Sequence, residues 1–520
     1  MQRETLHFDE HFITVVDGEL ILPNNNDVMQ IAISKTENVE EDDRGDLPEV
    51  IDSRNIPVAD NINMDIPDLN EEKQVLKDWS FNLNLRGNMF RDNLLNEISD
   101  LPEDLSDTNE IPTNYKVHVF YYPWYGNLKF NGEYVHWNHP FIPHWKENEA
   151  LNWPQGQHEP PDDIGSNFYP ELGPYSSNDP ETIKKHMEQI SSTGAGVVVV
   201  SWYPPNESDD HGKDPDKVIP TILDIADQFS LKVTLHIEPF KGRNHKTLRE
   251  NLKYILDSYG KHPAFYKCYH ADKEKHLPMF YIYDSYLTEH YQWSKIFTPQ
   301  GNLTVRHTDL DAIFIGLVVE NHHISELYKG GFDGVYTYFA TDGFSFGSSW
   351  KNWPYISQTA KSRHMFFIPS VGPGYIDTNV RPWNVLNTRS RQGGRYYLQS
   401  ISAALSNNPD YISVTSFNEW HEGTQIEPAV PMKHDNLIYL DYGSRGPKFY
   451  LKMTKYLVKK FSEIQPIIKM HLLNWTKTLA HRKKSTLEKY SFTENPSTLQ
   501  SRPGMTRDDK HLKFLDLLKK

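Results

Sequence analysis

Cysteine is almost missing from this chain. Cys268 is the only one among 520 residues, so no disulfide can form within the chain and packing alone must hold it. Long apolar runs are also missing. No stretch of 18 apolar residues exists, and the N-terminus has no apolar signal-peptide core, so no membrane span is expected. The ending Leu517-Leu518-Lys519-Lys520 is not a luminal retrieval signal. Positive charge is in deficit, with 54 Lys and Arg against 70 Asp and Glu. The net charge of -16 removes the electrostatic basis for a nucleic-acid partner. The hydrophobic share, 38%, is low for a wholly folded chain. It implies an ordered core with polar extensions.

Aromatic side chains are abundant: 13% of the chain, with 12 Trp and 29 Tyr. Acid together with aromatics suits a neutral, polar ligand such as a saccharide. Sugars lay their C–H faces on rings and offer hydroxyls to carboxylates. Three N-glycosylation sequons begin at Asn206, Asn302 and Asn474; Asn495 is excluded by Pro496.

The composition divides the chain into three. Residues 1–112 read as an acidic, mostly disordered extension, with Glu37–Asp46 its extreme. Within it, alternation in Met1–Leu22 predicts a short hairpin and Val75–Ile98 a docking helix. Residues 113–467 carry apolar strand-like runs: Val117–Tyr122, Gly196–Trp202, Val233–Glu238, Pro278–Tyr283, Ala312–Val319, Gly334–Phe339, Met365–Ser370 and Tyr411–Phe417. Amphipathic segments lie between them, at Glu181–Ser192, Val218–Phe229, Lys246–Tyr259, His322–Tyr328 and Arg395–Ser406. Leu437–Leu440 and Lys448–Phe461 are expected to finish the domain. Residues 468–520 read as a basic tail.

Strands alternating with helices imply a parallel sheet with right-handed crossovers. Eight units predict the α/β fold class and a closed (β/α)8 TIM-type barrel with long βα loops and poorly ordered terminal extensions. An open doubly wound sheet is the alternative. It would call for a glycine-rich phosphate loop after the first strand, where Pro123-Trp124-Tyr125-Gly126 stands instead.

Barrel enzymes place chemistry at the C-terminal ends of their strands. Those ends here collect Tyr122 and Trp124, Trp202, Glu238, Asp284, Tyr336, and Asn418-Glu419-Trp420-His421-Glu422. The first βα connection is very long and adds His136, His139, His144 and His158 with Asp162 and Asp163. It reads as a lid, as a metal site, or as histidines satisfying loop backbone groups. Its spacings match no zinc pattern, so no metal and no cofactor is expected. Glycoside hydrolysis needs two carboxyl groups, one of them kept protonated near neutral pH. Glu419 and Glu422 could form such a pair. Glu238 and Asp284 compete with them, and spacing does not rank the four.

Long segments resemble a known family. They are FYYPWYGN (Phe120–Asn127), HWNHP (His136–Pro140), PPDDIGSNFYPELGPYSS (Pro160–Ser177), SWYPP, HIEP, MFYIYDSY, GFDGVYTYFATDGF, IPSVGPGYIDT, RPWN and SFNEWHEGTQIE. Together these are similar to the glycoprotein endo-α-1,2-mannosidases of glycoside hydrolase family 99, over about Tyr115–Tyr442. The resemblance implies a metal-independent retaining hydrolase. It would cut an α-1,2-mannosidic bond in glucosylated high-mannose N-glycans on glycoproteins and release Glc-α-1,3-Man. It also implies Glu419 as a general base acting on the substrate's own 2-hydroxyl, through a 1,2-anhydro sugar, and Glu422 as general acid. Tyr122, Trp124, His139, Trp202, Glu238, Asp284, Tyr336, Asn418, Trp420 and His421 would line the sugar site. Animal members carry a membrane anchor that places the barrel in the Golgi lumen, and no such anchor stands in this sequence. A glycan-binding barrel without catalysis and a metal-dependent hydrolase are the rival readings.

Overall fold

The computed structural model describes residues 110–208, 214–270, 274–435 and 437–464, together with the backbone of four short strands near the N-terminus. Those strands, Glu4–Phe8, His11–Val16, Glu19–Ile21 and Met29–Gln30, form an antiparallel sheet in that order. The first two are the expected hairpin, paired from Glu4↔Val15 to Phe8↔His11. Glu19–Ile21 lies in the same expected stretch, while Met29–Gln30 falls where a linker was read. The helix expected at 75–98 and the tail from 468 lie outside the described residues.

Eight parallel strands form the main unit. In chain order they are β1 (Asn114–Tyr121), β2 (Ala195–Trp202), β3 (Lys232–Ile237), β4 (Lys275–Ile282), β5 (Ile313–Leu317), β6 (Gly334–Tyr336), β7 and β8 (Ile412–Val414). Strand β7 has two halves, Phe366–Ile368 and Ser370–Val371. The first half pairs with β6 and the second with β8, so the ring closes through β7. Pro369, between the halves, has no N–H to give to a ladder. Its carbonyl still accepts from Ser413 N–H at 3.1 Å.

Burial on both faces explains the continuous apolar runs. Every residue of β2, Ala-Gly-Val-Val-Val-Val-Ser-Trp, is buried. Inside the barrel, polar aromatics replace the usual aliphatic layers. His118 Nδ1 meets Tyr281 Oη at 2.7 Å, and His236 Nε2 meets Tyr336 Oη at 2.8 Å. Burial pushes the His118 imidazole down to about 3, so it serves as a neutral bonding group. Phe120 packs among His236, Tyr281, Tyr336 and Tyr338.

Helices surround the ring: α1 (Pro180–Ser192), α2 (Ile219–Gln228), α3 (His245–Ser258), α4 (His290–Phe297), α5 (His323–Gly330), α6 (Trp353–Ser362), α7 (Arg395–Leu405) and α8 (residues 449–464). Local chemistry starts and stops them. Asp179 caps α1, with Pro180 at its first position, and Asn244 and Thr247 form a capping box on α3. Helix α5 ends at Gly331, whose φ of 86° is left-handed. A Cβ there would stand 2.5 Å from the Phe297 carbonyl oxygen.

Two expectations need correction. Helices α4 and α6 escaped the periodicity reading because aromatics stand on both their buried and exposed faces. Leu437–Ile438 does not finish the barrel; it pairs antiparallel with Lys433–His434 in an exposed hairpin. The helix expected at Lys448–Phe461 does close the ring, burying Phe449, Leu457, Val458 and Phe461.

Candidate active site

At the C-terminal ends of the strands lies a cleft of about 240 Å³. Strand β1 and its long loop contribute Tyr122, Trp124, His136 and His139. Strands β2, β3, β4 and β6 contribute Tyr203, His236 with Glu238 and Pro239, Tyr283 and Tyr338. The connection after β7 supplies Val380 and Arg381, and that after β8 supplies Glu419, His421 and Glu422. Charged and aromatic groups from seven strands therefore converge on one cavity.

The segment after β8 is built as a tight turn. The Thr415–Ser416 peptide is cis. Ser416 Oγ accepts from Glu419 N–H at 2.8 Å, and Glu419 Oε1 accepts from His421 N–H at 3.2 Å. Gly423 closes the turn at φ 60°, where a Cβ would stand 2.6 Å from the Ile376 carbonyl oxygen. Asn418 ties this turn to β1. Its Oδ1 accepts from Tyr122 N–H at 2.8 Å and its Nδ2 donates to the Tyr122 carbonyl at 3.0 Å. Trp420 Nε1 donates to Glu427 Oε2 at 2.9 Å, and the other Glu427 oxygen faces His186 Nε2 at 3.0 Å. Behind the turn, the Arg391 guanidinium donates to the Gly423 and Gln425 carbonyls at 2.9 and 2.7 Å. It sits among the rings of Phe168, Tyr442 and Tyr450.

The two carboxyl groups of the turn share one field. Burial raises Glu419 well above the ordinary carboxylate range, and the Glu422 charge adds to that; Arg381 and the N–H groups of His421 and Glu422 oppose it. Burial lifts Glu422 to about 7, against the pull of Arg381, whose Nη1 is 3.9 Å away, and with a further push from Asp377. Two like charges facing one another in this field favour one shared proton near neutrality. Deeper in the cleft, Glu238 Oε1 accepts from Ser201 Oγ at 2.8 Å and lies 3.2 Å from His236 Nδ1. Trp124 stacks on His136 at 4.6 Å and 9°, and the Tyr122 and Tyr338 hydroxyls bond to each other.

The structure brings together Tyr122, Trp124, His139, Glu238, Glu419, His421 and Glu422. Trp202, Tyr336, Asn418 and Trp420 sit outside the cleft lining, each fully buried. Trp202 Nε1 donates to Asp216 Oδ1 at 2.7 Å. Asp284 is half-buried beside the cleft, its carboxyl raised by burial and opposed by a bond from Tyr286. His136, Tyr203, His236, Pro239, Tyr283, Tyr338 and Arg381 stand in segments that the sequence pointed to but were not selected as site residues, and Val380 carried no signal. Most adjoin residues that were selected, within the same motifs.

The long first loop is tied down from inside. Trp137 stacks on Tyr125 at 4.2 Å and donates to the Tyr175 carbonyl at 2.7 Å. Its histidines bond to loop groups: His139 Nδ1 to the Pro140 carbonyl, and His158 to Asp163 and the Asn379 carbonyl. Among the described residues one group of metal-ligating side chains comes together, His322, His323 and Glu326, and none of them lines the cleft. His323 Nδ1 accepts the N–H groups of Val319 and Glu320, which leaves its proton on Nε2.

The profile of glycosyl hydrolase family 99 matches residues 112–463. The glycoprotein endo-alpha-1,2-mannosidase of Mus musculus is 53% identical over 366 residues, covering 70% of this chain and 79% of the relative. A glycoprotein endo-alpha-1,2-mannosidase-like protein of Homo sapiens is 51% identical, covering 66% and 75%. Among solved structures, the GH99 endo-alpha-mannosidase from Bacteroides thetaiotaomicron superposes with a TM-score of 0.62 at 44% identity, over 68% of this chain and 98% of that one.

Proposed function

The chain belongs to glycosyl hydrolase family 99 and is a glycosidase, and from that premise we propose that it is a retaining endo-α-1,2-mannosidase acting on glucosylated high-mannose N-glycans. The observation that carries the reading is the Glu419–Glu422 turn, where two carboxyl groups stand in different surroundings. Glu419 is 4% exposed, and the backbone N–H bond it accepts, with the Arg381 charge, favours its ionised form against the burial that raises it. Glu422 is more open, and its carboxyl at about 7 suits a proton donor at neutral pH.

In this mechanism Glu419 takes the proton of the mannose 2-hydroxyl. The 2-oxygen attacks C1 from the face opposite the leaving group, and the C1–O bond breaks. Glu422 passes its proton to the departing oxygen. Water, giving a proton to Glu422, then attacks C1 of the 1,2-anhydro sugar. The 2-oxygen recovers its proton from Glu419. Two inversions at C1 return the starting configuration. The axial 2-oxygen of an α-mannoside lies anti to the axial leaving group, so the first displacement is geometrically open. Substrate-assisted routes of this kind are known exceptions to the nucleophile rule. The aromatic lining supplies stacking faces and Glu238 a hydroxyl acceptor. The released product is Glc-α-1,3-Man. We assign the action to the Golgi lumen on the resemblance to glycoprotein-processing mannosidases. No helix among the described residues is long and apolar enough to cross a membrane.

The test follows the first product of a Glc-α-1,3-Man-α-1,2-Man substrate by NMR. Retention is expected. Glu419→Gln and Glu422→Gln should each lose about 10²–10⁴-fold in kcat with melting behaviour of a folded protein. Glu422→Gln alone should recover on a glycosyl fluoride, whose leaving group needs no proton. An inverted first product, or full activity in either variant, rejects the roles.

A further inference from the structure

Beside the cleft, on the Glu422 side, stands an aromatic plate that the chemistry above does not use. Trp145 is 69% exposed, an unusual state for a side chain of this size. It is not loosely held. His144 stacks on it at 4.1 Å and 28°, and Trp383 meets it edge-on at 4.7 Å and 89°. His144 is itself fixed: Nδ1 accepts Lys146 N–H at 3.1 Å and Nε2 faces Glu149 Oε2 at 3.5 Å. Trp383 Nε1 donates to the Ile142 carbonyl at 2.9 Å, and Ile142 N–H donates to the Val380 carbonyl at 2.8 Å.

Both arms of the plate rise from the cleft wall. One leaves His139 and reaches Trp145; the other leaves Val380 and Arg381 and reaches Trp383. Two residues of chain place the Trp383 backbone within about 7 Å of that of Arg381. Arg381 in turn lies 3.9 Å from Glu422. Apolar exposure continues along the same loop at Val385 and Leu386, 57% and 92% exposed.

We infer that Trp145, braced by His144 and Trp383, is a distal sugar subsite for the leaving-group side of the glycan. This rests on the proposed function, because Glu422 marks the leaving oxygen only in that mechanism. A rigid indole open on one face suits the C–H face of a pyranose. Its continuity with the cleft wall gives it a place on the path of a substrate that extends past the scissile bond. Such a plate would select branched, extended glycans over short ones without touching the reacting atoms.

The experiment compares Trp145→Ala with the unmutated protein on two substrates, a full glucosylated high-mannose N-glycan and the trisaccharide Glc-α-1,3-Man-α-1,2-Man. KM for the full glycan should rise about 3–10-fold, the worth of one stacking contact, while kcat and both constants for the trisaccharide stay unchanged. Trp145→Phe should restore most of the loss. Equal effects on both substrates, or none on the full glycan, overturn the subsite. Calorimetric titration with the full glycan reads binding without turnover. If the unmutated protein cleaves neither substrate, the mechanism fails. The subsite then stands or falls on whether Trp145→Ala weakens binding by the same 3–10-fold.

Discussion

Replacing Arg391 by Met would test what holds the catalytic turn in shape. Arg391 is 9% exposed, and one of its nitrogens donates to two buried carbonyls, those of Gly423 and Gln425. A hydrogen bond from a charged donor contributes about 1.5–3 kcal/mol, and a buried carbonyl left without a donor costs a comparable amount. Two such bonds amount to about 4 kcal/mol. Its ring contacts, at 4.4 to 5.0 Å, add about 1 kcal/mol. Met refills most of the volume and its sulfur still packs on aromatic rings, recovering about 1 kcal/mol. Met also removes two buried donors without a partner, Nε and Nη1, which offsets about 1 kcal/mol, so the net loss is about 2–4 kcal/mol. For a cooperative unit spanning residues 112–463, the unfolding entropy is about 0.7 kcal/mol per kelvin, so the melting temperature should fall by about 3–5 °C. Because Gly423 follows Glu422 directly, kcat at a permissive temperature should also fall, by about tenfold or more. Arg391→Lys should lie between the two, since an ammonium keeps the charge but loses the planar fork. Scanning fluorimetry and steady-state kinetics measure both effects. A melting temperature within about 1 °C of the unmutated protein, with unchanged kcat, would overturn the argument.

Two further outcomes follow from the geometry. Burial raises the Glu422 carboxyl from 4.5 to about 7 in the fold. Between those values the unfolded chain ionises and the folded one does not, so this group's contribution to stability is lost as pH rises from 4.5 to 7. Glu422→Gln should remove that slope, exceeding the unmutated protein at pH 8 by about 3 kcal/mol of stability and matching it near pH 4; parallel melting curves across this range contradict it. Trp202→Phe breaks the bond to Asp216, which keeps Tyr254 and Tyr259 as donors. It should cost about 2–3 kcal/mol of stability and leave KM within about twofold, whereas a raised KM at unchanged stability would make Trp202 a substrate contact.

Much of the barrel was legible because its signals are local. A fully buried parallel strand needs consecutive apolar residues, and Val197–Val200 supplies them in one glance. Helix α1 announces itself by Asp179 and Pro180, and α3 by Asn244 with Thr247. The gathering of acids and rings at strand ends was also readable, since a strand's end is marked by where its apolar run stops. Other elements were not. Helices α4 and α6 carry aromatics on both faces, buried Trp293, Phe297 and Trp353 beside exposed Tyr291 and Tyr355, which blurs their period, and the two halves of β7 read as one run although Pro369 divides their partners.

Within each strand end, the side facing the cleft could not be read. Adjacent residues of an extended chain point to opposite faces, and the phase of that alternation is set by the barrel's curvature. Tyr203 rather than Trp202 lines the cavity by this alternation, whereas Tyr336 and Tyr338 share a face and both meet His236, and it is Tyr338, nearer the strand's end, that reaches the cleft. The partners of the Glu419–Glu422 turn were hidden for a related reason. The sequence places the two carboxyl groups three residues apart and caps them with Gly423. Their different surroundings come from Arg381 and Asp377, on the connection after β7. Burial and charge act through space, and only the closed ring brings that connection against the end of β8.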